Sequence, residues 1–199
     1  MKTIALEGTL RGDLGKKSTK ALRNEGAVPC VIYGGENNIH FSATTQDFRD
    51  LIYTNEFKTA TINVGGNVHT AIVKDVQFHP VSDAIQHIDF LELIEGKSIK
   101  TEIPVRLVGS PEGVKVGGNL MQKVRKLKVM VTPELLSATI DVNVEHLELG
   151  KSIRIRDIQV AEGVQIMSAG ATPVASIEIP RALRSAQSKT DDGEAEGEE

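Results

Sequence analysis

The sequence predicts a mainly β protein, and three observations carry that reading. Aromatic residues make up only 4% of the chain and tryptophan is absent, so the core must be built from Val, Ile and Leu, which favour β structure. Short runs with apolar side chains at alternate positions recur along most of the chain, and glycine-rich turns separate them. With 199 residues and 40% hydrophobic content, the chain is long enough for one generous domain or two small ones, and the pattern below favours two.

Thr3 to Arg11 opens the fold. Ile4, Leu6 and Leu10 stand at even positions among polar Thr3, Glu7, Thr9 and Arg11, the signature of a half-buried strand with Arg11 facing outward. GKKSTKALRNEG (Gly15 to Gly26) reads as a short helix of about two turns, capped by Ser18 or Thr19 and ended by Gly26. Ala27 to Gly35 is a strand ending in a glycine turn, with Ile39 to Ala43 as its hairpin partner. In TTQDFRDLIYTNE, Phe48, Leu51, Ile52 and Asn55 recur at helical spacing behind a threonine cap, which predicts a second short helix. TATINV and VHTAIVKDVQF flank Gly65-Gly66-Asn67, a strong hairpin signal. Ala84 to Leu93 supplies a final strand. About six strands and two short helices suffice for a small closed or nearly closed barrel.

After Glu95-Gly96-Lys97 the strand pattern restarts without a second basic helix. KTEIPVRLVG, LMQKVRKLKVMV, SATIDVNV, SIRIRDIQV and TPVASIEI are each expected to be strands, separated by GSPEGVKVGGN, TPELL, HLELGK and AEGVQIMSAGA. Residues 1–94 are therefore expected to form one domain and residues 95–184 a second, all-β domain. From Ser185 onward SAQSKTDDGEAEGEE carries no large apolar side chain to offset its ordering entropy, so residues 185–199 are read as a disordered acidic tail with a solubilising role.

The net charge of −4 averages unlike regions. Residues 1–23 carry six basic groups against two acidic, and residues 185–199 carry one basic group against six acidic. A local basic patch can therefore meet a polyanion even in an acidic chain. The single cysteine, Cys30, allows neither an internal disulfide nor a thiolate zinc cluster. The N-terminus lacks the apolar core of a signal peptide, and no run approaches the roughly 18 to 20 apolar residues of a membrane span. The expectation is a soluble cytoplasmic protein.

Lys16, Lys20 and Arg23 fall at i, i+4 and i+7, one face of the basic helix, with Leu22 toward the core. Amide groups and hydroxyls at Ser18 and Thr19 add anion-binding capacity, so this is either a phosphate-binding surface or a plain solvated helix face. His87 and Asp89 are two apart in a strand and emerge on one face, while Ile88 and Phe90 point to the core. A metal-dependent enzyme or metal sensor would need His79 and Asp83, from the preceding turn, to join them, and no recognised ligand spacing supports that set. Nothing points to catalysis: G-x-S-x-G, the P-loop and G-x-G-x-x-G after a strand are all missing, and Cys30 follows a proline in an apolar strand where it packs. A strand showing His and Asp beside Tyr33 suits RNA. The Asp accepts from guanine N–H or a 2′-hydroxyl, the His donates or accepts, and the Tyr stacks or bonds to ribose.

Gly15-Lys16, Ser-Thr-Lys-Ala-Leu-Arg (18–23), Pro29, Val31-Ile32-Tyr33-Gly34-Gly35, Lys74-Asp75-Val76-Gln77, His79-Pro80 and Gln86-His87-Ile88-Asp89-Phe90 together resemble the bacterial large-subunit ribosomal protein L-twenty-five family. The two-domain length resembles its longer form, general stress protein CTC, and GSPEGVKVGGN, Ile140-Asp141-Val142 and Leu149-Gly150-Lys151-Ser152-Ile153 resemble that form's C-terminal β domain. The resemblance implies a six-stranded N-terminal β-barrel that binds the loop E region of 5S rRNA in the large ribosomal subunit, without catalysis or cofactor. Carried over by position, the RNA contacts are Arg11, Lys16, Lys20, Arg23, Tyr33, His87 and Asp89, with Ser18 or Thr19 as a phosphate-facing hydroxyl. Ala21 and Phe78 depart from the family, which often has basic residues there.

Overall fold

The structure is a computed structural model and describes residues 1–161 and 163–180. The expected acidic tail, 185–199, lies outside the described residues. Six strands, β1 (Thr3–Leu10), β2 (Ala27–Tyr33), β3 (Ile39–Thr44), β4 (Thr59–Val64), β5 (Asn67–Phe78) and β6 (Ile85–Glu92), close into a barrel in the order β1-β3-β2-β6-β5-β4. The pairings β1 with β4 and β2 with β6 are parallel, and the others are antiparallel. The alternation read from the sequence fills the interior: Leu6, Val28, Cys30, Ile32, Phe41, Ile62, Ile88 and Phe90 are all buried. Phe90 lies against both Phe41 and Phe48, with ring centroids 5.7 and 6.2 Å apart.

The β4–β5 hairpin turns on Gly65 and Gly66, whose φ values of +61° and +88° suit the two-residue turn that matches strand twist. At one end of the barrel His69 Nδ1 lies 2.7 Å from Glu92 Oε1. A Cβ on Gly35 would come within 1.8 Å of Glu92 Oε2, so the pair depends on glycine there.

Helix α1 (Lys16–Asn24) ends with Gly26, as expected, but its start differs. Gly15 is the N-cap, with no side-chain cap, because Ser18 and Thr19 lie inside the first turns. Their hydroxyls turn back instead, Thr19 donating to Gly15 O at 2.9 Å and Ser18 to Asp13 O at 3.4 Å. No residue of α1 is fully buried, and Leu22 is only half-buried, not a core residue. Helix α2 (Arg49–Ile52) is a single turn that buries Leu51, with buried Phe48 at its N-cap. Asn55 lies beyond it and is exposed, so its helical spacing was coincidental.

The described residues divide into two compact units, one gathering Met1–Thr101 with Met130–Ala138 and the other Glu102–Val129 with the chain from Thr139 on. After the barrel come β7 (Ile99–Val108), a one-turn helix α3 (Glu112–Lys115), β8 (Asn119–Gln122), β9 (Lys126–Val131), β10 (Ile140–Asn143), β11 (Ser152–Arg154), β12 (Gln165–Ile166) and β13 (Pro173–Glu178). They form a sheet ordered β10-β7-β9-β12 and a sheet ordered β11-β13-β8. Two expected strands are corrected. LMQKVRKLKVMV breaks at Lys123–Arg125 into β8 and β9, which join different sheets. SIRIRDIQV is strand only to Arg154, where Asp157 Oδ2 accepts the Arg154 N–H and turns the chain into a 3-10 turn over Ile155–Asp157.

Candidate nucleic-acid interface

Strand β6 lies between β2 and β5, and its alternation decides which side chains are displayed. Ile88 and Phe90 are fully buried, while His87 and Asp89 point outward with 26% and 29% of their side-chain surfaces exposed. His87 Nδ1 and Asp89 Oδ1 are 2.7 Å apart, but off the line of the ring N–H, so the two touch without an aligned hydrogen bond. Asp89 is level with Val31 on β2 and with Asp75 on β5, Gln77 is level with His87, and Tyr33 is level with Leu91.

Asp75 and Gln77 join this face although strand alternation alone did not single them out. A bulge between Val73 and Asp75 inserts Lys74 and reverses the alternation of β5, so that Val76 turns inward and Asp75 and Gln77 turn outward. The K-D-V-Q run held the signal, but only the bulge gives it a direction. Two carboxylates, Asp75 and Asp89, thus stand on paired residues of neighbouring strands. Burial, then Asp89 and Asp75, raise the Tyr33 phenol above its ordinary range, and its hydroxyl, protonated at neutral pH like any phenol, can donate.

The cations come from one segment. Residues 24–94 hold only Arg49, Lys58 and Lys74 against nine acidic residues, whereas Lys16, Lys20 and Arg23 are exposed on α1. The structure brings helix and strand together directly: Arg23 Nε donates to the carbonyl of Gln86, the residue before His87, at 3.0 Å. Arg11, expected to face outward from β1, is only partly exposed, and its guanidinium donates to Thr19 Oγ1 at 3.1 Å and to Asp13 O at 3.2 Å. Ala21 and Phe78 are both exposed where the resembled family often has cations.

The competing metal set is not assembled. His79 Nδ1 accepts the backbone N–H groups of Ser82 at 3.2 Å and Val81 at 3.3 Å, and the His79 backbone bonds to Ala84 O and Asp83 N. His79 therefore holds the β5–β6 turn, in which Asp83 adopts a left-handed φ of 52°. Among the described residues no three His, Cys, Asp or Glu side chains are grouped as a metal would require. Cys30 is fully buried, and burial pushes its thiol far above the ordinary range. Among the described residues no helix is long and apolar enough to cross a membrane.

Comparison with known proteins agrees with the residues quoted above. Residues 6–90 match the Ribosomal L25p family, and residues 98–181 match the family described as Ribosomal protein TL5, C-terminal domain. The large ribosomal subunit protein bL25 of Amoebophilus asiaticus is 43% identical over 184 residues, covering 92% of this chain and 93% of that protein. Its counterpart from Phocaeicola vulgatus is 41% identical over 193 residues, covering 94% of this chain and 97% of that protein. The Bacteroides fragilis protein of the same name is 39% identical over 191 residues, with the same coverages of 94% and 97%.

Proposed function

The chain belongs to the ribosomal L25p family, and from that premise we propose that it is a ribosome-associated, cytoplasmic constituent of the large ribosomal subunit that binds 5S rRNA, at its loop E region, through residues 1–94. Its role is structural, not enzymatic. The observation that supports the RNA reading most is the Arg23–Gln86 bond, which ties the cation-bearing helix to the strand that displays His87 and Asp89. Lys16, Lys20, Arg23 and Arg11 neutralise phosphates, with Ser18 or Thr19 as a hydroxyl on the same side. Asp89 accepts from base N–H groups or a 2′-hydroxyl, and His87 and Tyr33 donate to base or sugar oxygens. A bare carboxylate facing a polyanion is unfavourable unless it meets a donor, so the strand selects a site where the helix merely attracts.

The test is to titrate the full chain and its Asp89→Ala variant against 5S rRNA and against an unrelated duplex RNA. Tight binding to 5S rRNA is expected, with the substitution weakening that complex much more than the duplex complex. Equal losses on both RNAs would remove the selective role of β6, and failure of the intact chain to prefer 5S rRNA would overturn the assignment.

A further inference from the structure

We propose that Arg11 and Arg23 are positioning residues, which fasten α1 to the barrel at its two ends and so present its lysines to RNA. The inference deepens the RNA-binding reading and rests on it only for its RNA readout. Helix α1 needs such fastening. It has nine residues, fewer than the roughly 12 to 15 at which a free helix becomes even marginal in water. It fully buries no residue, has no side-chain N-cap and carries no acidic residue in its first turn. Packing is therefore weak here, and at the N-terminus so are capping and charge–dipole attraction, while Arg23 in the last turn meets the dipole favourably.

Hydrogen bonds from outside the helix replace them. At the N-terminal half, Arg11 at the end of β1 donates to Thr19 Oγ1 at 3.1 Å, and that hydroxyl in turn donates to Gly15 O at 2.9 Å. The hydroxyl has one proton and two lone pairs, so both bonds are satisfied at once, and the arginine charge polarises the chain toward the helix start. Arg11 also donates to Asp13 O at 3.2 Å, which holds the connection between β1 and α1. At the C-terminal half, Arg23 Nε donates to Gln86 O at 3.0 Å on β6. Using Nε leaves the terminal nitrogens of the guanidinium available to other acceptors. Lysine keeps the charge at either position but has no planar fork to reproduce this division of donors.

The experiment is amide hydrogen exchange of the full chain without RNA, followed by RNA titration across salt concentrations. Thr19→Val removes the hydroxyl and no charge. It should speed exchange over residues 16–24 by about tenfold, the effect of losing one hydrogen bond with a charged donor, while β6 exchanges as before. Thr19→Ser should restore protection, and Arg23→Lys should lose it despite the retained charge. On 5S rRNA, Thr19→Val should weaken binding with an unchanged salt dependence, because the hydroxyl carries no charge and no cation is lost. Unchanged exchange over 16–24 in both Thr19→Val and Arg23→Lys overturns the proposal, and so does a reduced salt slope for Thr19→Val. Faster exchange in a chain that does not prefer 5S rRNA upholds the fastening and overturns the functional reading instead.

Discussion

The salt dependence of RNA binding measures how many of the cations around α1 meet phosphates. Lys16, Lys20 and Arg23 are exposed and Arg11 is partly so, and the rest of the first 94 residues is too acidic to add a comparable cluster. With about 0.7 to 0.9 released counterions per contact, four contacts give a slope of roughly −2.8 to −3.6 in log K against log salt. Raising potassium chloride from about 50 to about 200 mM should therefore weaken 5S rRNA binding by roughly 50- to 150-fold. Lys20→Gln leaves three contacts, a slope of roughly −2.1 to −2.7, and a loss of only about 20- to 40-fold over the same range. Fluorescence anisotropy with labelled 5S rRNA reads both slopes. A wild-type slope near zero, or a Lys20→Gln slope equal to that of the wild type, would refute the assignment of phosphates to this helix.

Three further outcomes follow from the barrel. Phe90→Ala removes a fully buried ring that packs on Phe41 and Phe48, and should cost about 3 to 5 kcal/mol in urea unfolding; a loss under about 1 kcal/mol would show that this cluster does not anchor β6. Tyr33 can be titrated alone by ultraviolet absorbance in a Tyr53→Phe background, since the chain has two tyrosines. Its midpoint should lie above the ordinary value, and Asp89→Asn should lower it without abolishing the shift, because burial is the larger cause. The folded state holds the proton more tightly than the unfolded one, so this stability contribution is present below the unfolded pKa and is lost as pH rises through the folded one. A midpoint indifferent to Asp89→Asn would break the proposed proximity. Finally, Gly35→Ala drives a methyl group into the Glu92 carboxylate, so it should lower the melting temperature less in a Glu92→Ala background than in the wild type; equal losses would mean that Glu92 is not what the methyl meets.

Much of the barrel was legible because period-2 alternation and turn chemistry are local. Ile88 and Phe90 against His87 and Asp89 follow from strand alternation alone, and Gly65-Gly66 marks a hairpin by backbone conformation. The misreadings share one cause, the dependence of a local signal on distant partners. Ser18 and Thr19 look like caps until Arg11 and the Gly15 carbonyl claim the Thr19 hydroxyl. Asp75 and Gln77 take their direction from a bulge opposite β6, and a bulge has no local spelling. LMQKVRKLKVMV alternates well enough to pass as one strand, yet its halves serve two sheets. The resemblance to a family supplied the candidate contact residues, but the bonds by which Arg11 and Arg23 hold the helix are visible only in the structure.

The connectivity of the barrel also sets an order of events in its synthesis. The strand that carries His87 and Asp89 is the sixth in chain order, yet it fills the gap between β2 and β5, and the parallel β1–β4 pairing closes the ring elsewhere. Until residue 92 has left the ribosome making the chain, β2 and β5 are open edges and α1 lacks the Gln86 carbonyl that receives Arg23. A truncated or misregistered chain therefore has the lysines of α1 but not the strand that displays His87 and Asp89. Closure of the barrel and display of His87 and Asp89 thus arrive with the same eight residues.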